Sequence, residues 1–364
     1  MNDIYDVAIV GAGMAGASLA AEIGERASVI VLEAEDMPGY HATGRSAAFW
    51  EECYGGPEIV PLTSASGDYL RENGFLTPRG SLYLAREEDE AKIDDFFARF
   101  AGTGARFSRI DRAELLVKVP GLKPEWDRAI WQGRCADIDV AGLHAHYLAR
   151  ARASGTEIQC RAKVVSIERE TEWRLDLADG RTVRARKLVN AAGAWADGLA
   201  TMAGAKPCGI QPYRRTVVQL RCDPAPSDDL PLCLDISGGF YFKPENGKVW
   251  LSPHDETPSE PTDAAPEELD VALAIDRLQN VTDWNVLAVE RKWAGLRSFS
   301  PDRLPVYGYD PAVEEFFWFS GQGGYGIQTA PAAARLASQL LFDLPRDTMT
   351  CKIDAESYFP TRFS

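Results

Sequence analysis

Asp6-Val-Ala-Ile-Val-Gly-Ala-Gly-Met-Ala-Gly16 is the stretch that decides the fold. Its first five residues form an apolar run of the kind found in a buried parallel strand. Gly11, Gly13 and Gly16 follow at GxGxxG spacing, and an alanine-rich segment, 17–24, reads as a helix. A second apolar run, 28–32, ends at Glu33. Strand, glycine turn, helix, second strand and an acidic residue about 20 positions on make the dinucleotide-binding fingerprint in its full context. Gly11 permits the tight turn, Gly13 lets the backbone approach a pyrophosphate, and Gly16 lets helix and strand pack closely. The helix N-terminus offers unpaired N–H groups and a positive dipole end to phosphate. Glu33 is placed to accept hydrogen bonds from an adenosine ribose. The motif by itself fits NAD and FAD equally.

Around this core the composition is that of a globular chain. The 364 residues give room for two domains, with 45% apolar and 26% charged side chains. No apolar run approaches the ~20 residues of a membrane-spanning helix. The leader carries Asp3 and Asp6 and no Lys or Arg, where a signal peptide wants positive charge. The expected location is therefore the cytoplasm, with loose association at an inner membrane left open. A net charge of −15 argues against nucleic-acid partners and against a basic membrane-docking patch. The seven cysteines are scattered without a CxxC pair, which predicts reduced thiols and no metal centre. Of the four histidines, His144 and His146 sit two apart on an expected helix and face different directions.

Three later segments select FAD. The first, Gly39-Tyr-His-Ala-Thr-Gly-Arg-Ser-Ala-Ala48, is expected to be a loop leading into a helix. Its small residues, hydroxyls and Arg45 suit a second contact with a pyrophosphate and the edge of a ring system. The second, Lys187-Leu-Val-Asn-Ala-Ala-Gly-Ala-Trp-Ala-Asp197, is a strand entering a helix through Ala-Ala-Gly, where backbone passes close to something bulky. The third, Phe316-Phe-Trp-Phe-Ser-Gly-Gln-Gly-Gly-Tyr-Gly-Ile-Gln-Thr329, gives a strand, a glycine turn and a helix over 330–342. A helix N-terminus aimed at a reduced flavin would stabilise its negative charge. Between these segments, Asp139 and Gly155 bracket a helix, and Asp179-Gly180 and Asn246-Gly247 mark hairpins. Asp111 with Glu114 reads as a capping box. Strands are expected at 81–85, 214–221, 239–243 and 249–252, and an acidic helix at 87–101.

Through 39–48, 188–195, 240–244, 293–299 and 322–329 the chain resembles the FAD-dependent D-amino acid oxidase superfamily, which includes glycine oxidase, sarcosine oxidase and the D-amino acid dehydrogenases. Within it the resemblance is to the bacterial D-arginine dehydrogenase type. It implies an α/β fold: a Rossmann-like FAD-binding domain of glutathione-reductase type (1–75, 137–210 and 294–364) with a mixed or antiparallel sheet as substrate domain (76–136 and 211–293). It also implies FAD contacts from Gly11, Gly13, Met14, Ala15, Gly16, Glu33, Ala34, Thr43, Gly44, Arg45, Ser46, Ala47, Val164, Ala192, Gly193 and Trp195. Gly323, Gly324, Tyr325, Gly326, Ile327 and Gln328 complete that set. On the substrate side it implies that Arg297 binds an α-carboxylate, which a planar guanidinium matches bidentately. Tyr241 would hydrogen-bond the same group, with Arg215, Tyr54, Phe49 and Gln328 in the pocket. Sarcosine-oxidase-type relatives attach FAD through a cysteine near the arginine. Here Arg297-Ser-Phe-Ser-Pro-Asp302 has none, so non-covalent FAD is expected.

The implied reaction is oxidative deamination of a D-amino acid, with the carboxylate clamp fixing Cα under the flavin and an oxygen, quinone or other carrier as final acceptor. Arginine-selective relatives carry a histidine where this chain has Phe49, and an acidic residue within Thr77-Pro-Arg-Gly-Ser-Leu82, at Ser81. Without that carboxylate a cationic side chain lacks a partner, so neutral or aromatic substrates are expected. The same clamp would serve an N-methyl or secondary amino acid such as sarcosine or proline. A 2-hydroxy acid dehydrogenase would need a base, for which His41 is the one histidine in the relevant motifs. A non-enzymatic flavin-binding subunit fits poorly with a complete clamp.

Overall fold

The computed structural model describes residues 4–363, so Asp3 lies outside the described residues. The first apolar run forms the strand Ile4–Val10, which pairs in parallel with Val29–Leu32 on one side and with Thr182–Asn190 on the other. Glu157–Gln159 extends the parallel set beyond Val29–Leu32, and Phe316–Ser320 extends it beyond Thr182–Asn190. Val164–Arg169, Trp173–Leu177 and Val306–Tyr309 add antiparallel edges, giving eight strands. The hairpin at Asp179-Gly180 joins Trp173–Leu177 to Thr182–Asn190 as expected.

Helix Met14–Ile23 is almost wholly buried, wedged between this sheet and the helices Val140–Ala153 and Ala330–Leu341. Alanines at 15, 17, 20 and 21 permit that three-sided packing because they bring little side-chain bulk. Asp139 caps Val140–Ala153 by accepting the Gly142 N–H at 2.9 Å. The arrangement is a Rossmann-like α/β layer with its phosphate-binding turn at the carboxyl end of the first strand.

The second sheet has nine strands and is mainly antiparallel. Its centrepiece is the long pair Gln211–Asp223 and Asn285–Phe299, in which Tyr213 faces Arg297 and Arg215 faces Gly295. The strand carrying Arg297 runs on past 294, so 294–299 pair within this sheet. Asn246 and Gly247 both take positive φ, as the two-residue hairpin between Tyr241–Glu245 and Lys248–Ser252 requires.

One local expectation is corrected. Loop 39–48 does not enter a helix; it ends in the short strand Phe49–Trp50, paired with Asp137 and Ala136, and the next helix is Val60–Glu72. Phe49 and Trp50 are both buried, and a third, three-stranded sheet holds them beneath the cavity described below. Among the described residues no helix is long and apolar enough to cross a membrane. All seven cysteines are free.

Candidate active site

The glycine turn has the shape its spacing predicts. Gly11 has φ +104°, and a Cβ there would lie 2.4 Å from the Ala191 carbonyl oxygen. A Cβ on Gly16 would lie 1.9 Å from the Gly11 carbonyl oxygen, so helix and strand approach as only glycine allows. Glu33 reaches back across the turn: its carboxylate accepts the Ala12 N–H at 2.9 Å and the Glu35 N–H at 3.0 Å. Thr43 stands over the helix N-terminus and accepts the Met14 N–H at 2.9 Å. Behind the turn, His144 meets the Ala12 carbonyl at 2.9 Å and packs under Gly39. Burial lowers its pKa, so the ring is a neutral donor that ties the loop 39–45 to the turn.

A continuous cavity runs from this turn to the second sheet. At one end it is lined by Gly11, Gly13, Met14, Ala15 and Glu33, then by Thr43, Arg45, Ser46 and Ala47 from the loop. Ala192, Gly193 and Trp195 continue the wall, and Gly323, Gly324, Gly326, Ile327 and Gln328 form its far side. Phe49, Tyr54, Arg215, Tyr241 and Arg297 close the end opposite Glu33. The structure therefore brings all six expected substrate-side residues into one cavity with most of the expected cofactor residues. Gly16, Ala34, Gly44, Val164 and Tyr325 are not in its wall. Gly16 acts through packing, Gly44 folds back against the Gly39 carbonyl, and Val164 is buried in the apolar core with Trp173 and Leu175. The Tyr325 ring packs on Phe299 and its hydroxyl donates to the Arg303 carbonyl.

Several side chains do something other than expected. The Arg45 guanidinium is taken up by Asp263 and by the carbonyls of Ala264 and Ala294, and it stacks on Tyr40. It fastens the segment around 263 over the cavity rather than standing free for a phosphate. His41 is held by Glu35 at 2.9 Å and packs on Trp195, on the dinucleotide side. The Gln328 amide donates to the Tyr54 carbonyl and Thr63 and accepts the Glu51 N–H, so it positions the 51–54 segment. The helix expected to point at the flavin begins at Ala330, and its Ala332 N–H is capped by Ser66. The irregular turn before the helix lines the cavity instead. Ser81 lies inside the strand Ser81–Ala85, paired to Gln132 and Leu232, fully buried and outside the cavity wall. A substitution there alters the sheet and not the ligand's immediate surroundings.

The end of the cavity opposite Glu33 holds a guanidinium cluster, of which Arg297 and Arg215 were expected from the sequence. Arg297 donates to Tyr54 Oη at 2.8 Å and to Glu256 at 2.6 Å. Arg215, almost fully buried, donates to the Asp255 carbonyl at 2.8 Å and to Glu256 at 3.3 Å. Arg303 grips both oxygens of Glu256, at 2.8 and 2.9 Å. Asp255 accepts the Thr216 N–H and hydroxyl at 2.8 and 2.9 Å. Arg297 Nε and one terminal nitrogen of Arg215 are buried with no partner among the described residues. Burial pushes the Tyr241 hydroxyl up to about 12 and also raises Tyr54, so both remain protonated donors. Burial, with Arg215 nearby, pushes His254 down to about 3 and keeps it neutral. Phe49 packs edge-on to Tyr54 and Tyr241, with ring centroids 5.0 and 5.9 Å away. Asp255, Glu256 and Arg303 lie in no motif, and the strand pairing that delivers them is visible only in the fold.

The cavity suits FAD on its own geometry. Glycines clear the path of a pyrophosphate at one end, an acidic acceptor is fixed for a ribose, and a wide, glycine-lined wall remains for a ring system. A Cβ on Gly324 would lie 2.5 Å from an Arg297 terminal nitrogen and 3.0 Å from Tyr54 Oη, so the glycine turn and the arginine clamp touch directly.

Comparison with known proteins agrees. The model of the DAO family, described as FAD dependent oxidoreductase, matches residues 6–340. The chain is 23% identical to FAD-dependent oxidoreductase domain-containing protein 1 of Xenopus laevis, over 93% of this chain and 79% of that protein. It is 26% identical to glycine oxidase of Geobacillus kaustophilus, over 96% of this chain and 98% of that protein. The crystal structure of that glycine oxidase superposes with a TM-score of 0.84 at 23% identity, covering 98% of both chains. L-Proline dehydrogenase from P. horikoshii superposes at 0.85 and 21% identity, over 100% of this chain and 98% of the other. At these identities the superpositions speak for the fold.

Proposed function

The chain belongs to the DAO family of FAD-dependent oxidoreductases, and we propose that it oxidises a D-amino acid with a neutral or aromatic side chain to the 2-oxo acid and ammonia. The observation that carries this reading is the pair of buried, unpartnered guanidinium N–H groups on Arg297 and Arg215. Leaving such donors unsatisfied in a protein interior is unfavourable, so a site that retains two of them is organised for an anion. Tyr54 and Tyr241 add hydroxyl donors to the same wall, which is the donor set of a carboxylate seat.

FAD, when bound, supplies the two-electron acceptor for the hydride leaving Cα. The chain's own residues orient the substrate. Arg297, Arg215, Tyr54 and Tyr241 hold the carboxylate, and Gly324 lets the cofactor-side turn approach the clamp. Phe49, Val217 and the Tyr241 ring offer an apolar surface to the side chain. The imine that results is hydrolysed by water. No group in the substrate wall is suited to accept a proton, because both tyrosines stay protonated and His254 is neutral with too low an affinity. The amine therefore gives its proton to solvent, which the surrounding guanidinium charge favours.

Mixing FAD-loaded protein anaerobically with D-alanine, D-phenylalanine, their L-enantiomers and sarcosine tests this directly. Loss of flavin absorbance with the D-amino acids is expected. Bleaching by sarcosine alone, by the L-enantiomers alone, or by none of them overturns the reading.

A further inference from the structure

Glu256 sits where three guanidinium groups converge, and the sheet fixes it there. Thr257 and Pro258 pair with Arg214 and Tyr213, which sets Glu256 beside Arg215 on the same strand. Tyr213 in turn faces Arg297 across the neighbouring strand, so Arg215, Arg297 and Glu256 share one region by register alone. Arg303 arrives from the turn that follows Phe299, with its guanidinium 3.9 Å from that ring's centroid. The segment holding Glu256 is fastened a second time by Asp263 to Arg45 and Tyr40 on the dinucleotide side.

The charges of this cluster do not cancel. Three guanidinium groups stand against the two carboxylates of Asp255 and Glu256, leaving one positive charge. His254 adds none, because it is neutral. Glu51, buried beneath Tyr54, is raised to about 8 by burial and adds little negative charge at neutral pH.

Resting on the carboxylate reading above, we propose that Glu256 is a specificity-determining residue that sets the site's surplus at one positive charge, matching a monocarboxylate and discriminating against amino dicarboxylates. A ligand with one carboxylate neutralises the cluster. A second carboxylate would enter a site already neutralised, beside Glu256 itself, and like charges in a partly dry cavity repel. Removing the Glu256 charge leaves room for two. A unit charge at roughly 6 Å, with an effective dielectric of about 40 for a partly exposed group, alters anion affinity by about tenfold.

Calorimetric titration of FAD-loaded protein with butyrate and succinate, four carbons each with one and two carboxylates, provides the readout. In Glu256→Gln the succinate-to-butyrate affinity ratio should rise about tenfold at low salt and shrink towards the wild-type ratio as ionic strength increases. Arg303→Gln should move the ratio the opposite way, and the double variant should return it near the wild-type value. A purely structural role for Glu256 would not give that restoration. A ratio unchanged in both single variants overturns the proposal, as does binding of neither acid to the wild type. If the ratios shift as stated but no amino acid bleaches the flavin, the charge assignment stands and the proposed reaction falls.

Discussion

Glu51 offers the sharpest test of the electrostatics beneath the site. Its carboxyl is completely buried, one oxygen accepts the Tyr83 hydroxyl at 2.9 Å, and the other has no partner among the described residues. Burial, assisted by the nearby Glu52, raises its pKa from the ordinary 4.5 to about 8. The folded chain therefore keeps this proton through a range in which the unfolded chain has lost it. Stability should fall as pH rises from about 4.5 to about 8 and then level off. At roughly 1.4 kcal/mol per pH unit the full effect is about 5 kcal/mol. Glu51→Gln removes the titration while retaining an acceptor for Tyr83. Its amide brings one more donor than a protonated carboxyl, at a penalty of about 1–3 kcal/mol. The variant should thus be more stable than the wild type by about 2–4 kcal/mol at pH 8.5, and less stable near pH 4.5. Thermal unfolding with saturating FAD at a series of pH values reads this as a crossover, at about 2 °C per kcal/mol for a chain of this size. Parallel melting curves for the two proteins from pH 5 to 9 would refute the assignment.

The remaining expectations concern the two ends of the cavity. Gly16→Ala places a methyl against the Gly11 carbonyl and should yield protein that folds but purifies with little flavin, read from the ratio of absorbance at flavin and protein wavelengths; full occupancy would contradict the packing role. Gly324→Ala presses on the Arg297 guanidinium and should raise KM for carboxylate substrates at least tenfold while leaving flavin content near normal. Arg297→Lys loses the planar fork and the bond to Tyr54, so kcat/KM should drop by about two orders of magnitude, and a loss below threefold would argue against the clamp.

How far the sequence reads depends on whether a function is local in the chain. Gly11 and Gly13 sit in one turn, and Glu33 follows the next strand, so their places around that turn were visible in the spacing. The Asn246-Gly247 hairpin was visible for the same reason, because positive φ at two successive residues leaves few choices. At the end of loop 39–48 local preference and burial disagree. Ala47-Ala48 favours a helix locally, but burial of Phe49 and Trp50 against Asp137 and Ala136 wins. Ser81 shows a different failure. A position beside a turn need not face the pocket, and pairing on both sides with Gln132 and Leu232 turns this one away. Glu256 and Arg303 had no signal at all, since an acidic residue after a strand is usually a solvated one, and only the pairing of Thr257 with Arg214 brings it to Arg215.

For the proposed amino acid substrate, the cluster's charge also bears on how an amine would be oxidised with no base among the described residues of that wall. Arg215, Arg297 and Arg303, only partly offset by Asp255 and Glu256, act on whatever occupies the site before chemistry begins. They attract the carboxylate and, at the same time, disfavour an ammonium group on the adjacent carbon, lowering the pKa at which the amine loses its proton. A neutral His254 and protonated Tyr54 and Tyr241 leave that proton to solvent. In the proposed reaction, binding and activation of the amine would be two consequences of one electrostatic arrangement. Glu51, kept protonated by burial, leaves that positive charge in place; ionised, it would offset it.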